Sequence, residues 1–115
     1  MLFRSLDQIG ADQFIKRGCT GCHTLDGTPK VGPSFKDDFG TDVHLSDGTT
    51  VKMNEDYIRE SLMSPQAKAR PGFPPSMPSF AGQLKERQIL GIIEFLKKQS
   101  KFAPQTSPPP APQQK

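Results

Sequence analysis

The chemistry of this chain concentrates in Cys19-Thr20-Gly21-Cys22-His23, where its only two cysteines stand three apart and a histidine follows at once. C-x-x-C-H is the attachment signature of c-type haem. The spacing has a physical reason. Two thiols on one turn reach the two vinyl groups along one edge of a porphyrin and form thioethers. The adjacent imidazole then sits under the ring centre and binds the iron. Gly21, between the thiols, is expected to let the backbone turn tightly against the macrocycle. Other chemistries use the same residue types. A thioredoxin-like C-x-x-C pair needs a preceding strand in a βαβ context, whereas the segment before Cys19 reads as helix. A zinc site could recruit Cys19, Cys22, His23 and His44, although adjacent ligands at 22 and 23 suit a tetrahedral ion poorly. A structural Cys19–Cys22 disulfide is a third use of the thiols.

Haem iron in such a site takes a second axial ligand from the protein. His44, Met53, Met63 and Met77 are the candidates. Met77 lies in Phe73-Pro74-Pro75-Ser76-Met77-Pro78-Ser79-Phe80, where three prolines fix φ and remove backbone donors. That segment is a stiff strap, able to hold a thioether at one distance, with Phe73 and Phe80 to shield it from water. Met63 ends a helix, where core packing is the ordinary use of a methionine. Met53 stands at a helix entrance and His44 in an exposed hairpin. Met77 is therefore the expected ligand, with His44 next. His/Met ligation raises the potential; a second histidine would lower it. With both axial positions filled, no open coordination site is left for substrate, which points to outer-sphere electron transfer. An enzyme or gas sensor would require Met77 to dissociate.

Three helices must position these groups. Residues 5–17 start at Ser5 as N-cap with Asp7 in the first turn, and Gly18 stops the helix. Leu6, Ile9, Gly10 and Phe14 share a face, and a glycine at position 10 implies a second helix crossing closely there. Residues 55–63 follow Asn54 as N-cap and end before Pro65. Residues 84–101 carry Ile89, Ile92, Ile93 and Leu96 at helical spacing, with Lys97, Lys98 and Lys101 near the C-terminus, where the dipole favours cations. Its N-terminal cap is weak on sequence grounds. Within the irregular stretch 24–53, Asp47-Gly48 between Val43-His44-Leu45 and Thr49-Thr50-Val51 reads as a short hairpin. Residues 65–82 hold five prolines, and long irregular segments of this kind need something solid to wrap around.

Composition agrees. At 115 residues there is room for one small domain. That excludes large nucleotide enzymes and barrels, and Asp38-Phe39-Gly40 cannot belong to a kinase. Hydrophobic residues are only 33%, beside 12 Pro and 10 Gly, so the side chains alone make a thin core. A large apolar macrocycle would complete it, and the haem-free chain should be unfolded or molten. Residues 1–60 carry 7 basic and 10 acidic side chains, whereas 61–115 carry 8 and 2. The surplus is scattered and lacks stacking aromatics, so nucleic acid is not an expected partner; a basic face near a docking site remains open. No apolar run is long enough to insert in a membrane. The domain is expected over 1–102. A Pro/Gln-rich tail, 103–115, is expected to be disordered.

GCTGCHTLDGTPKVGPSF (18–35), YIRESLMSPQAK (57–68), PPSMPSF (74–80) and LGIIEFLKK (90–98) occur in an order that resembles a class I cytochrome c. More narrowly, the chain is similar to the cytochrome c domain at the C-terminus of subunit II in caa-type haem–copper oxidases. The resemblance implies an all-α fold of three to five helices around one covalent haem c, with a short β-hairpin insertion. It implies thioethers at Cys19 and Cys22, His23 as proximal ligand and Met77 as distal ligand. It implies that the Pro33 carbonyl holds the other nitrogen of His23, that Gly10 and Phe14 cross Phe95, and that Arg70 and Tyr57 bind the haem propionates. Phe14 lies five residues before Cys19, where many members of the family have four. The implied function is electron entry from a quinol-oxidising complex or soluble cytochrome c, and transfer to a copper-binding domain. The implied location is the periplasm or the outer face of the cytoplasmic membrane. Because neither copper site nor anchor lies within this sequence, it reads as an excised domain or a free diffusible carrier.

Overall fold

A computed structural model describes residues 4–67, 69–73 and 76–103. Helix α1 spans Leu6–Lys16, strands β1 and β2 span Asp42–His44 and Thr50–Lys52, helix α2 spans Glu55–Met63 and helix α3 spans Glu86–Lys98. A single 3₁₀ turn, Cys19–Gly21, follows α1. The expected all-α architecture with a hairpin is what forms.

Local chemistry sets most of the boundaries. At the start of α1 the Gln8 side chain accepts a bond of 2.9 Å from the Ser5 backbone N–H. Arg17 caps the other end, and Gly18 turns left-handed at φ 76°. The Asn54 side chain accepts the N–H of Tyr57 at 2.9 Å, capping α2. Helix α3 is shorter than its apolar periodicity suggests. It begins after Lys85, whose N–H is accepted by the Gln88 side chain at 2.9 Å, so a glutamine reaching back does the work of the missing capping residue. In the hairpin, Val43 pairs with Val51 and His44 with Thr50. Gly48, at φ 91°, takes the left-handed position of the turn.

The core runs between α1 and α3 and out to α2. Phe14, Ile92, Ile93 and Met53 are each 2% exposed or less. Where α1 crosses α3, Gly10 meets Gly91: a Cβ on Gly10 would lie 2.8 Å from the Ile92 amide nitrogen and closer still to the Gly91 carbonyl. The crossing expected at Gly10 is thus a meeting of two glycines. Phe14 and Phe95 follow one turn on, ring centroids 5.3 Å apart. Ion pairs fasten the three helices at the surface: Lys98 to Asp7 at 3.1 Å, Lys97 to Glu55 at 2.8 Å and Arg59 to Glu86 at 2.7 Å. Ala103 is buried against this core, one residue beyond the expected domain end. The rest of the tail, and Pro74 and Pro75 of the strap, lie outside the described residues.

Candidate functional site

Cys19 begins the 3₁₀ turn, and its carbonyl accepts the N–H of Cys22 at 3.2 Å and of His23 at 2.9 Å. Both thiols and the imidazole are thereby gathered on one turn. The left-handed residue that makes this possible is Gly18. Gly21, expected to provide the tight backbone, sits inside the turn, and a Cβ there would meet nothing within 4 Å.

The His23 ring is fixed from two sides. Nδ1 lies 2.8 Å from the Pro33 carbonyl. A carbonyl only accepts, so Nδ1 carries the proton and the Nε2 lone pair is left for a metal. Phe35 stacks on the imidazole with centroids 4.4 Å apart and planes 24° from parallel. The loop that carries both partners is tied down by Gly32 N–H donating to the Cys22 carbonyl at 2.8 Å and Phe35 N–H to Thr24 at 2.9 Å. Gly32 must lack a side chain, because a Cβ would come within 2.8 Å of Nδ1. Burial pulls the His23 pKa down, against the Pro33 bond that raises it, which favours the neutral, ligating form. Burial likewise pushes the Cys19 thiol up, unlike the low-pKa cysteine of a thiol redox enzyme.

Cys19, Cys22 and His23 border one cleft with Met77, Tyr57 and Arg70, whose empty space is about 1180 Å³, part of it open to solvent. Phe14, Ile58, Leu62, Phe80, Ile92 and Leu96 give it apolar walls. The strap that carries Met77 is anchored just beyond it. Ser79 donates from its hydroxyl to the Met63 carbonyl at 2.7 Å, and Phe80 from its N–H to the Leu62 carbonyl at 2.8 Å. These bonds satisfy two of the carbonyls that end α2 without an intrahelical partner. Arg17 ties the far side, donating to the Gln83 carbonyl at 3.1 Å.

The other candidate ligands fall elsewhere. His44 is exposed on the hairpin, its Nδ1 2.9 Å from the Thr50 hydroxyl, and does not line the cleft. Met63 packs against the core from outside the cleft, while Met53 reaches the cleft from the buried core. No three His, Cys, Asp or Glu side chains converge to hold a metal among the described residues, so the zinc set of Cys19, Cys22, His23 and His44 does not assemble. The two cysteines are free thiols and not a disulfide.

Tyr57 and Arg70, expected at the propionates, do meet at the cleft, with Arg70 Nε donating to the Tyr57 hydroxyl at 3.1 Å. A third group, unsuspected from the sequence, completes them: Asp38 accepts from both terminal nitrogens of Arg70, at 3.2 and 2.8 Å. No signal in the sequence links positions 38 and 70.

The donor set and the cradle fit a covalently attached haem c: two thiols a turn apart, an imidazole with Nε2 available, and an apolar cleft beside them. No curated protein matches the chain. The Cytochrome c family model matches residues 8–100, which include the cysteine pair, His23, Met77, α2, α3 and all but the first two residues of α1. The chain belongs to the cytochrome c family, whose members carry electrons on a haem.

Proposed function

We propose that this chain relays single electrons through a haem held by Cys19 and Cys22 and ligated by His23 and Met77, as the electron-entry domain of a haem–copper oxidase subunit II. The observation that carries the ligation is the convergence of Cys19, Cys22, His23 and Met77 on one apolar cleft, with Nδ1 of His23 already committed to Pro33. The order of the four sequence blocks supports the narrower oxidase reading.

The haem supplies the one-electron couple. The protein supplies the rest. Pro33 holds the proton of His23 on Nδ1 and so makes Nε2 the better donor. Phe35 keeps the ring from rotating. The strap, pinned to α2 through Ser79 and Phe80, holds the Met77 thioether in place whatever the charge on the iron. Phe80, Leu62 and Ile92 exclude water. Arg70 and Tyr57 stand where haem propionates need donors. The donor would be a quinol-oxidising complex or a soluble cytochrome c, and the acceptor a copper-binding domain. The location would be the periplasm or the outer face of the cytoplasmic membrane, with docking at the haem edge beside the cysteines.

Visible spectra of the oxidised and reduced protein, together with the denatured mass, test this reading. The mass should exceed the polypeptide by one haem. A long-wavelength sulfur–iron band in the oxidised form should vanish in Met77→Ala and survive in Met63→Ala. Stopped-flow mixing of the reduced protein with a copper-binding domain from a caa-type oxidase should show electron transfer that slows with salt. Failure of that transfer, with both spectral results intact, would leave a diffusible carrier.

A further inference from the structure

The cleft margin carries a buried ion pair whose acidic member, Asp38, has no part in the electron relay as described. Arg70 lines the cleft together with His23 and Met77, and Asp38 stands behind it. Their side chains are only 16% and 12% exposed. Charges so enclosed are weakly screened by salt and act over longer distances than surface charges do.

The pair is geometrically committed. Both carboxylate oxygens of Asp38 accept from Arg70, Nε donates to Tyr57, and the guanidinium carbon lies 5.5 Å from the centre of the Tyr57 ring. Of the five N–H donors on an arginine, these bonds leave two, one on each terminal nitrogen. Asp38 is itself held in a turn, its carbonyl accepting from the Thr41 hydroxyl at 2.6 Å, three residues after the Phe35 that stacks on His23. The Ser46 N–H donates to the Ala69 carbonyl at 2.8 Å and so fixes the backbone next to Arg70. Burial disfavours the charge on Arg70, and the bonds to Asp38 and Tyr57 more than offset that.

We propose that Asp38 is a positioning residue for the haem cleft. Its carboxylate fixes the Arg70 guanidinium at the wall and offsets its charge, so that the reduction potential depends on the pair and not on Arg70 alone. Reduction adds one negative charge beside the pair. A lone Arg70 would favour the reduced form, and a lone Asp38 would oppose it. The inference rests on haem bound in this cleft by His23 and Met77.

The test is a potentiometric titration of the haem-loaded protein and of Asp38→Asn, Arg70→Gln and the double variant. At the wild-type midpoint, Asp38→Asn should raise the ratio of reduced to oxidised protein by about fivefold and Arg70→Gln should lower it by about as much, a tenfold change being ~59 mV for one electron. The double variant should return close to wild type, and Asp38→Glu, which keeps the charge, should stay there. Single variants that shift in the same direction overturn the inference. So does Asp38→Asn with a wild-type spectrum and an unmoved ratio. Should Asp38→Asn fail to retain haem, Arg70→Gln decides alone: a lowered ratio supports the pair, and an unchanged or raised one overturns it. Loss of the haem spectrum in the parent protein, or indifference of that spectrum to Met77→Ala, would strike at the site assignment instead.

Discussion

Gly10 and Gly91 meet backbone to backbone where α1 crosses α3, and neither position has room for a methyl group. A Cβ on Gly91 would stand 2.7 Å from the Leu6 carbonyl oxygen and 2.9 Å from the Gly10 nitrogen. The obstacle is backbone, which cannot rotate away as a side chain can. Gly10→Ala should therefore destabilise the haem-loaded protein by at least ~1–3 kcal/mol through overpacking. The ~0.5–1 kcal/mol that alanine gains in a helix does not offset this. Denaturant midpoints measure the effect, and an unchanged midpoint would mean that the helices can part at no cost.

Among the candidate ligands, position separates packing from ligation. Met53 is 1% exposed in the core, so Met53→Ala should cost ~2–5 kcal/mol of stability while keeping the sulfur–iron band. His44→Ala should leave stability, spectrum and potential unchanged, because His44 bonds only to its hairpin neighbour Thr50 within the described residues. A lost sulfur–iron band in Met53→Ala, or a shifted potential in His44→Ala, would reassign the sixth ligand.

Without haem, the cleft walls have nothing to close upon. Phe14, Ile58, Leu62, Phe80, Ile92 and Leu96 all border it. A Cys19→Ala/Cys22→Ala chain purified free of haem should keep helical far-UV circular dichroism but lose its near-UV signal and bind hydrophobic dyes. A sharp native-like near-UV spectrum would show that the polypeptide packs without the cofactor.

Acid should loosen the bond between α2 and α3. The Lys97 ammonium donating to Glu55 holds that carboxyl below its ordinary range. A carboxyl whose folded pKa is depressed contributes stability above its unfolded pKa, and that contribution fades as pH falls through the folded value. Glu55→Gln should thus cost up to ~1 kcal/mol at pH 7, the modest figure expected of a partly exposed pair. The gap between wild type and variant should begin to close as pH falls below about 4.3, the unperturbed glutamate value, and vanish only below the depressed folded value. Thermal unfolding at both pH values checks this; a gap that widens in acid would contradict it.

The haem-binding turn was legible because covalent attachment demands fixed residue types at fixed spacing. The helices were legible because Ile89, Ile92, Ile93 and Leu96 repeat at helical intervals and Asn54 is a strong cap. Gly10 announced a close crossing, but its partner Gly91 sits inside an apolar run and looks unremarkable there. Pairing across the fold left no local trace. Asp38 and Arg70 are 32 residues apart, and no periodicity joins them. Phe35 reads as a loop residue until it stacks on His23. The anchoring of the strap through Ser79 and Phe80 depends on carbonyls at the end of α2, which every helix leaves free and no side-chain pattern marks. Gly21 drew attention by its place between the thiols, whereas the left-handed bend falls at Gly18, which also ends α1.

The contact between α1 and α3 joins elements near opposite ends of the described chain and so closes everything between them, residues 17–85, into a single loop. Forming it costs loop entropy, a cost that grows only slowly with loop length. The two helices work as a clasp. Segments added before α1 or after α3 leave the clasp untouched, whereas an insertion at the hairpin tip merely lengthens the loop that it fastens. A fold closed in this way tolerates lengthening on either side of the clasp without strain on the contact itself.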